Sequence, residues 1–195
     1  MPRGRPRGFD TDEALDVALQ LFWHRGYEGT SMAALSEAIG VNVPSLYAAF
    51  GNKEALFTRV VDRYIEKPAS YLAAAMQQPT ARAAAEQALQ GAIDMAMTPG
   101  AADGCLLVQG ALAASPAAAS IRKQLGQRRA GAEAVVRQRF EHAQAAGDLP
   151  ADADPAQLAR YLMTVIWGMS VQAAGGANRA DLEEVAERAM QAWPA

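Results

Sequence analysis

The feature that most constrains this chain is its punctuation: helix starts and stops recur from Asp10 onward, and two of the segments they define are short and adjacent. Asp10 followed by Glu13 has the spacing of a capping box, so a first helix opens there. Leu15, Ala18, Leu19 and Phe22 recur at helical spacing, and Gly26 supplies the stop. Thr30 or Ser31 caps a second helix whose inner face is Met32, Leu35 and Ile39 and whose end is Gly40. After Val41, Asn42 caps a third helix through Phe50. Pro44 fits its first turn, where an amide has no intrahelical partner to lose. Gly51-Asn52 then opens a helix from Lys53 to about Glu66, striped by Leu56, Val60 and Tyr64, with Pro68 marking its end.

Two short helices joined by a tight glycine-containing turn make a helix-turn-helix, whose second helix enters the major groove of DNA. Residues 31–50 follow that plan. The outward face of the second helix reads Asn42, Pro44, Ser45, Ala48 and Ala49, with Leu46 and Phe50 turned inward. Such a slim face permits close approach to a duplex. Tyr47 is the bulky exception, and its hydroxyl suits a phosphate oxygen.

The rest of the chain repeats the same grammar. Thr80 caps a helix reaching Met97, residues 98–104 form a loop, and Cys105 to Ala114 form a short helix. Ser115-Pro116 is expected to open a long helix closed by Gly147, and Asp154-Pro155 one closed by Gly175-Gly176. A final helix runs from about Asn178 to Trp193. Aromatics are only 7% of the chain and alanine supplies much of its 51% hydrophobic content, so the fold class is all-α. The expected organisation is a basic arm (1–8), an N-terminal three-helix DNA-binding domain (9–66) and a C-terminal helical ligand-binding and dimerisation domain (67–195).

The motifs Gly26-Tyr27-Glu28-Gly29-Thr30-Ser31-Met32, Ile39-Gly40-Val41, Ser45-Leu46-Tyr47, Phe50 and Asn52-Lys53-Glu54-Ala55-Leu56 occur in unbroken order. In them the chain resembles the TetR/AcrR family of transcriptional regulators over about residues 9–66. The resemblance implies a repressor that binds a pseudo-palindromic double-stranded operator as a homodimer and is released by a small molecule. It implies phosphate contacts from Ser31, Tyr47 and Lys53, and a groove-lining role for Val43, Pro44 and Ser45 beside Asn42. Position 49, often polar or aromatic in the family, is alanine here; its methyl suits a thymine methyl rather than a hydrogen-bonded base contact. In the arm, Arg3-Gly4-Arg5-Pro6 resembles the core of an AT-hook, whose arginines enter a narrow minor groove. A disordered basic tail is the alternative.

In the C-terminal domain, Leu158, Leu162, Val165, Met169 and Ala173 form one stripe, and Leu182, Ala186, Ala189 and Trp193 another. The resemblance implies that these helices (about 155–193) pair with their symmetry mates; periodicity fits closure of the subunit's own core equally well. Cys105, Gln109, Met163 and Trp167 are candidate effector-cavity residues, with Met95, Met97, Phe140 and Met169 as further apolar candidates. Cys105 opens a helix, where the dipole lowers a thiol's pKa, and its motif resembles that of an oxidant- and electrophile-sensing branch; a small buried core residue is the alternative.

Net charge is −3, so any DNA affinity comes from local placement rather than bulk charge. The basic run Arg122-Lys123 through Arg128-Arg129 reads as a solvated face. One cysteine allows no disulfide framework, and no signal peptide or membrane span is evident, so a cytoplasmic location is expected. No cofactor, metal site or catalytic group is expected. A helical enzyme pairing Cys105 with His142, or an adaptor without DNA affinity, are the competing readings.

Overall fold

The computed structural model describes residues 9–98, 104–112, 115 and 118–194, and every regular element among them is a helix. In order these are α1 (Thr11–Arg25), α2 (Met32–Ile39), α3 (Val43–Phe50), α4 (Lys53–Glu66), α5 (Tyr71–Ala75), α6 (Ala81–Ala96), α7 (Leu106–Leu112), α8 (Ala119–Ala145), α9 (Pro155–Ala174) and α10 (Arg179–Gln191). Residues 1–8, with Arg3 and Arg5 of the expected arm, lie outside the described residues.

The caps are where the sequence places them. Asp10, Ser31, Asn42, Asn52, Thr80, Asp154 and Asn178 each accept a hydrogen bond from an amide in the first turn of the helix they open. The reciprocal capping box is closed by Asn178 and Asp181, while Asp10 accepts from the amides of Asp12 and Glu13. Two boundaries depart from expectation. Helix α8 begins at Ala119, later than Ser115-Pro116 suggests, and its N-cap position is Ala118; the Ser115 amide and hydroxyl both donate to the Glu28 carboxylate, at 2.6 Å each. Helix α5 was not foreseen, since it is a single turn with no side-chain cap to announce it.

Packing follows two hydrophobic clusters rather than the chain boundary at residue 66. The first joins α1 to α4 through Leu15, Leu19, Phe22, Leu35, Leu46, Phe57 and Tyr64, and continues into Cys105, Leu106, Ile121 and Leu125 of α7 and α8. The N-terminal domain therefore borrows part of its core from the C-terminal one. The second cluster holds α6, α8, α9 and α10 together around Leu89, Ile93, Phe140, Leu162, Met163 and Met169. The stripe from Leu158 to Ala173 packs inward on this cluster, so Met169 (2% exposed) belongs to the subunit's own core. Tyr161, Val171 and Val185, each over 40% exposed, carry the outward apolar surface of α9 and α10.

Polar contacts reinforce the N-terminal part and its junction with the rest. Asp16 of α1 accepts from Arg63 at 2.8 Å and Lys67 at 2.9 Å, and these cations hold its carboxyl well below the usual carboxylate range. The basic run of α8 is only half solvated: Arg128 pairs with Asp62 and Arg129 donates to the Leu107 carbonyl, whereas Arg122 and Lys123 are exposed. The indole N–H of Trp23 in α1 donates to the buried Gly104 carbonyl at 2.7 Å. Replacing Trp23 with Phe leaves that carbonyl without its partner. It should lower the unfolding free energy by about 1–3 kcal/mol for the bond alone, read from a urea titration; an unchanged midpoint would show that the bond contributes nothing.

Candidate nucleic-acid interface and interior cavity

The turn between α2 and α3 is built by Gly40, whose φ of 77° and ψ of 28° are left-handed and favour glycine. Its amide closes α2 onto Ser36 and Glu37, and Asn42 then starts α3 by accepting from the Ser45 amide at 2.9 Å. Leu35, Leu46 and Phe50 are buried and fix the pair against α1 and α4. Periodicity then decides what remains outside. Asn42, Pro44, Tyr47 and Ala48 are exposed, and Val43 and Ser45 are half-buried. Ala49, read from the sequence as outward, is half-buried against the core because its methyl lies on the flank of α3 nearest the other helices.

The Ser31 hydroxyl accepts from the Ala34 amide at 3.1 Å and keeps its own proton to donate. The Lys53 ammonium sits 4.3 Å from the centroid of the Tyr27 ring. Partial burial lowers its pKa while the nearby Glu28 carboxylate opposes that shift. Tyr27 in turn packs on Phe22 and Phe57, so the lysine at the start of α4 rests on the domain's aromatic core. Tyr47 is 50% exposed. Of the predicted DNA-contacting residues, Asn42, Val43, Pro44, Ser45 and Tyr47 thus lie on α3 or at its start, Ser31 opens α2 and Lys53 opens α4.

A cavity of about 750 Å³ lies within the C-terminal part, bordered by α4 through Tyr64, by α5 and α6 through Tyr71 and Met95, and by α8 and α9 through Arg128 and Trp167. Three of the four effector candidates, Cys105, Met163 and Trp167, are on its wall. Gln109 is not among its lining residues; its side-chain amide lies beside Gly104 instead. Of the further candidates, Met95 lines the cavity, whereas Met169 and Phe140 are core. Sequence reasoning missed Tyr64 as a cavity residue, because at its stripe position it reads as plain core filling, and missed Tyr71 because the stretch after Pro68 carries no helical signal.

The environment of Cys105 differs from the one its helix-start position suggests. The thiol is buried, and burial pushes its pKa up, against opposing hydrogen bonds from Tyr64 and the amides of Leu107 and Val108. Its sulfur is 3.3 Å from the Tyr64 hydroxyl, and His142, the proposed base of an enzyme, is exposed near the end of α8. Desolvation outweighs the helix dipole here. No group of three His, Cys, Asp or Glu suited to a metal occurs among the described residues, and no described helix is long and apolar enough to cross a membrane.

With this geometry in place, the comparisons with known proteins agree along the whole chain. Residues 14–60 match bacterial regulatory proteins of the tetR family, and residues 71–193 match the tetracyclin repressor-like C-terminal domain. The chain belongs to the TetR family and is a DNA-binding transcriptional regulator. It is 37% identical over 194 residues to the HTH-type transcriptional repressor ComR of Escherichia coli K12, covering 98% of this chain and 92% of ComR. It is 35% identical over 123 residues to the repressor BdcR of the same strain, 62% of each chain. Among solved structures, a cysteine-substituted TetR family regulator CifR in complex with a 26-base-pair double-strand operator is similar at 40% identity and a TM-score of 0.93, covering 98% of this chain and all of that one.

The Cys105 environment has a direct consequence. Because the folded thiol's pKa is raised, thiolate is scarce at neutral pH, so alkylation by iodoacetamide should be slow there and accelerate as pH rises past 9. Rapid labelling at pH 7 would contradict the burial described.

Proposed function

We propose that this chain is a cytoplasmic, non-enzymatic repressor that binds a pseudo-palindromic duplex as a twofold homodimer and leaves it when a small molecule enters the cavity. The observation that carries the reading is the slim outer side of α3 with the exposed Tyr47, between the Ser31 cap of α2 and Lys53 at the start of α4 in the chain. In this reading α3 lies in the major groove with Val43, Pro44 and Ser45 toward base edges, while Ser31, Tyr47 and Lys53 hold phosphates. Asn42 stands at the groove-facing end of α3 with its carbonyl committed to the cap. The arm arginines Arg3 and Arg5 would extend the footprint into the minor groove. Homodimerisation is assigned to α9 and α10, where Tyr161, Val171 and Val185 leave an apolar surface that a second copy would cover. Support comes also from ComR and BdcR, which are named repressors, and from CifR, whose structure holds operator DNA.

A second route of release, modification of Cys105, is favoured by one observation: this residue is on the cavity wall. Cys105→Ser separates the two routes. A non-covalent effector releases both proteins, whereas thiol chemistry releases only the wild type.

The interface assignment is tested on duplex DNA from the protein's own upstream region by fluorescence anisotropy. Lys53→Ala should weaken binding to every duplex and reduce the salt slope by about 1. Tyr47→Phe should weaken it uniformly, and Ser45→Ala should change which sequences are preferred. If all three variants bind as wild type, α3 is not the reading helix. For the dimer, Val185→Glu should give a folded monomer by sedimentation, because the site is exposed in the subunit; an unchanged dimer would move the interface elsewhere.

A further inference from the structure

We infer that the cavity selects a neutral, largely apolar ligand carrying one hydrogen-bond-accepting oxygen, such as a ketone or ether, and that the Tyr71 hydroxyl is the donor that recognises it. The inference rests on the cavity being the effector site of the repressor proposed above, and it names the chemistry of that effector.

Most polar groups on the cavity wall are already committed. Arg128 pairs with Asp62, the Gln124 side-chain amide donates to Thr58 Oγ1 at 2.8 Å, and the Ser170 hydroxyl donates to the Trp167 carbonyl at 2.7 Å. The Tyr64 hydroxyl is engaged with the Cys105 sulfur at 3.3 Å. The Tyr71 hydroxyl makes no hydrogen bond with any described residue. No buried side-chain nitrogen or oxygen among the described residues is sealed without a partner, so this hydroxyl opens onto free space, and the space it borders is the cavity. The ring is held at its root: a Cβ added at Gly91 would come within 2.6–2.8 Å of Tyr71 Cβ, Cγ and Cδ2. Glycine there lets the ring pack closely on α6, and burial raises the Tyr71 pKa. The phenol therefore stays protonated and donates.

Of the remaining lining residues Gln127 is exposed at the surface, and the others are mainly apolar, among them Leu72, Met95, Ile166 and the Trp167 ring. An ionised carboxylate entering this space would lose its hydration with the one cation on the wall, Arg128, already paired. A pure hydrocarbon would leave the Tyr71 hydroxyl without water and without a partner. A neutral acceptor satisfies both demands.

The test uses full-length protein and three probes of similar size: benzophenone, diphenylmethane and diphenylacetate, with dissociation constants from equilibrium dialysis. Wild type should bind benzophenone roughly five- to tenfold more tightly than diphenylmethane and leave diphenylacetate weakest. Tyr71→Phe should equalise benzophenone and diphenylmethane. Equal binding of the two by wild type, preference for diphenylacetate, an unchanged ratio in Tyr71→Phe, or no binding of any probe overturns the inference, and the wild-type ratio decides alone if the variant does not fold. Operator binding by the ligand-free protein is measured in parallel. Intact operator binding with a failed panel removes the ligand class only, whereas absent operator binding removes the repressor reading beneath it.

Discussion

The arrangement depends on one buried side chain of α4. Tyr64 stacks edge-on against Trp23 of α1 with ring centroids 5.1 Å apart, and its hydroxyl meets the sulfur of Cys105 at the threshold of α7. One tyrosine thereby belongs to the core of the DNA-binding domain and to the wall of the cavity. A domain of four helices has a small core and is marginal alone, and Leu106, Ile121 and Leu125 extend that core in the same cluster. That dependence makes the position of α4 a compromise between two partners.

Several contacts reinforce the same joint. Thr58, Asp62 and Tyr64 all lie on α4, and they bind Gln124, Arg128 and Cys105 respectively. Gln124, Arg128 and Cys105 also line the cavity. Material entering it would press on the very residues that hold α4, and α4 carries Lys53 at its other end, directly after α3. Packed interiors respond to added volume by discrete rearrangement rather than by gradual compression, so a shift of α4 is the expected output. The surface pair Asp16–Arg63 restrains the α1 side of the helix but is partly solvated, so it contributes modestly.

Much of this was legible in the sequence because it is written in local chemistry. Caps such as Ser31, Asn42 and Asn178 and stops such as Gly26 and Gly40 each act within one turn, and the structure uses them as read. What escaped was non-local. The thiol of Cys105 sits at a helix start, which suggests activation, yet its actual environment is set by Tyr64, distant in sequence. Ser115 reads as a local signal, yet its amide and hydroxyl reach the Glu28 carboxylate, far away in sequence. The stripe through Met169 is equally compatible with an interface and a core, and only packing against α6 and α8 settles it as core. Tyr71 lacked any local signal, since its significance comes from a flat glycine on α6 and an open volume on its far side.

The central claim is that volume inside the cavity is felt at the DNA-reading helix through α4. Gly131 borders the cavity, and a Cβ added there would meet no atom within 4 Å, so Gly131→Trp adds bulk at the cavity wall from a position with open space around it. The decisive measurement is the affinity of this variant for the protein's own upstream operator, by anisotropy, beside checks that it remains folded and keeps the wild-type oligomeric state. The account predicts at least a tenfold loss of affinity, a coupling of ordinary allosteric size. A folded variant of unchanged oligomeric state that binds operator as tightly as wild type would contradict it.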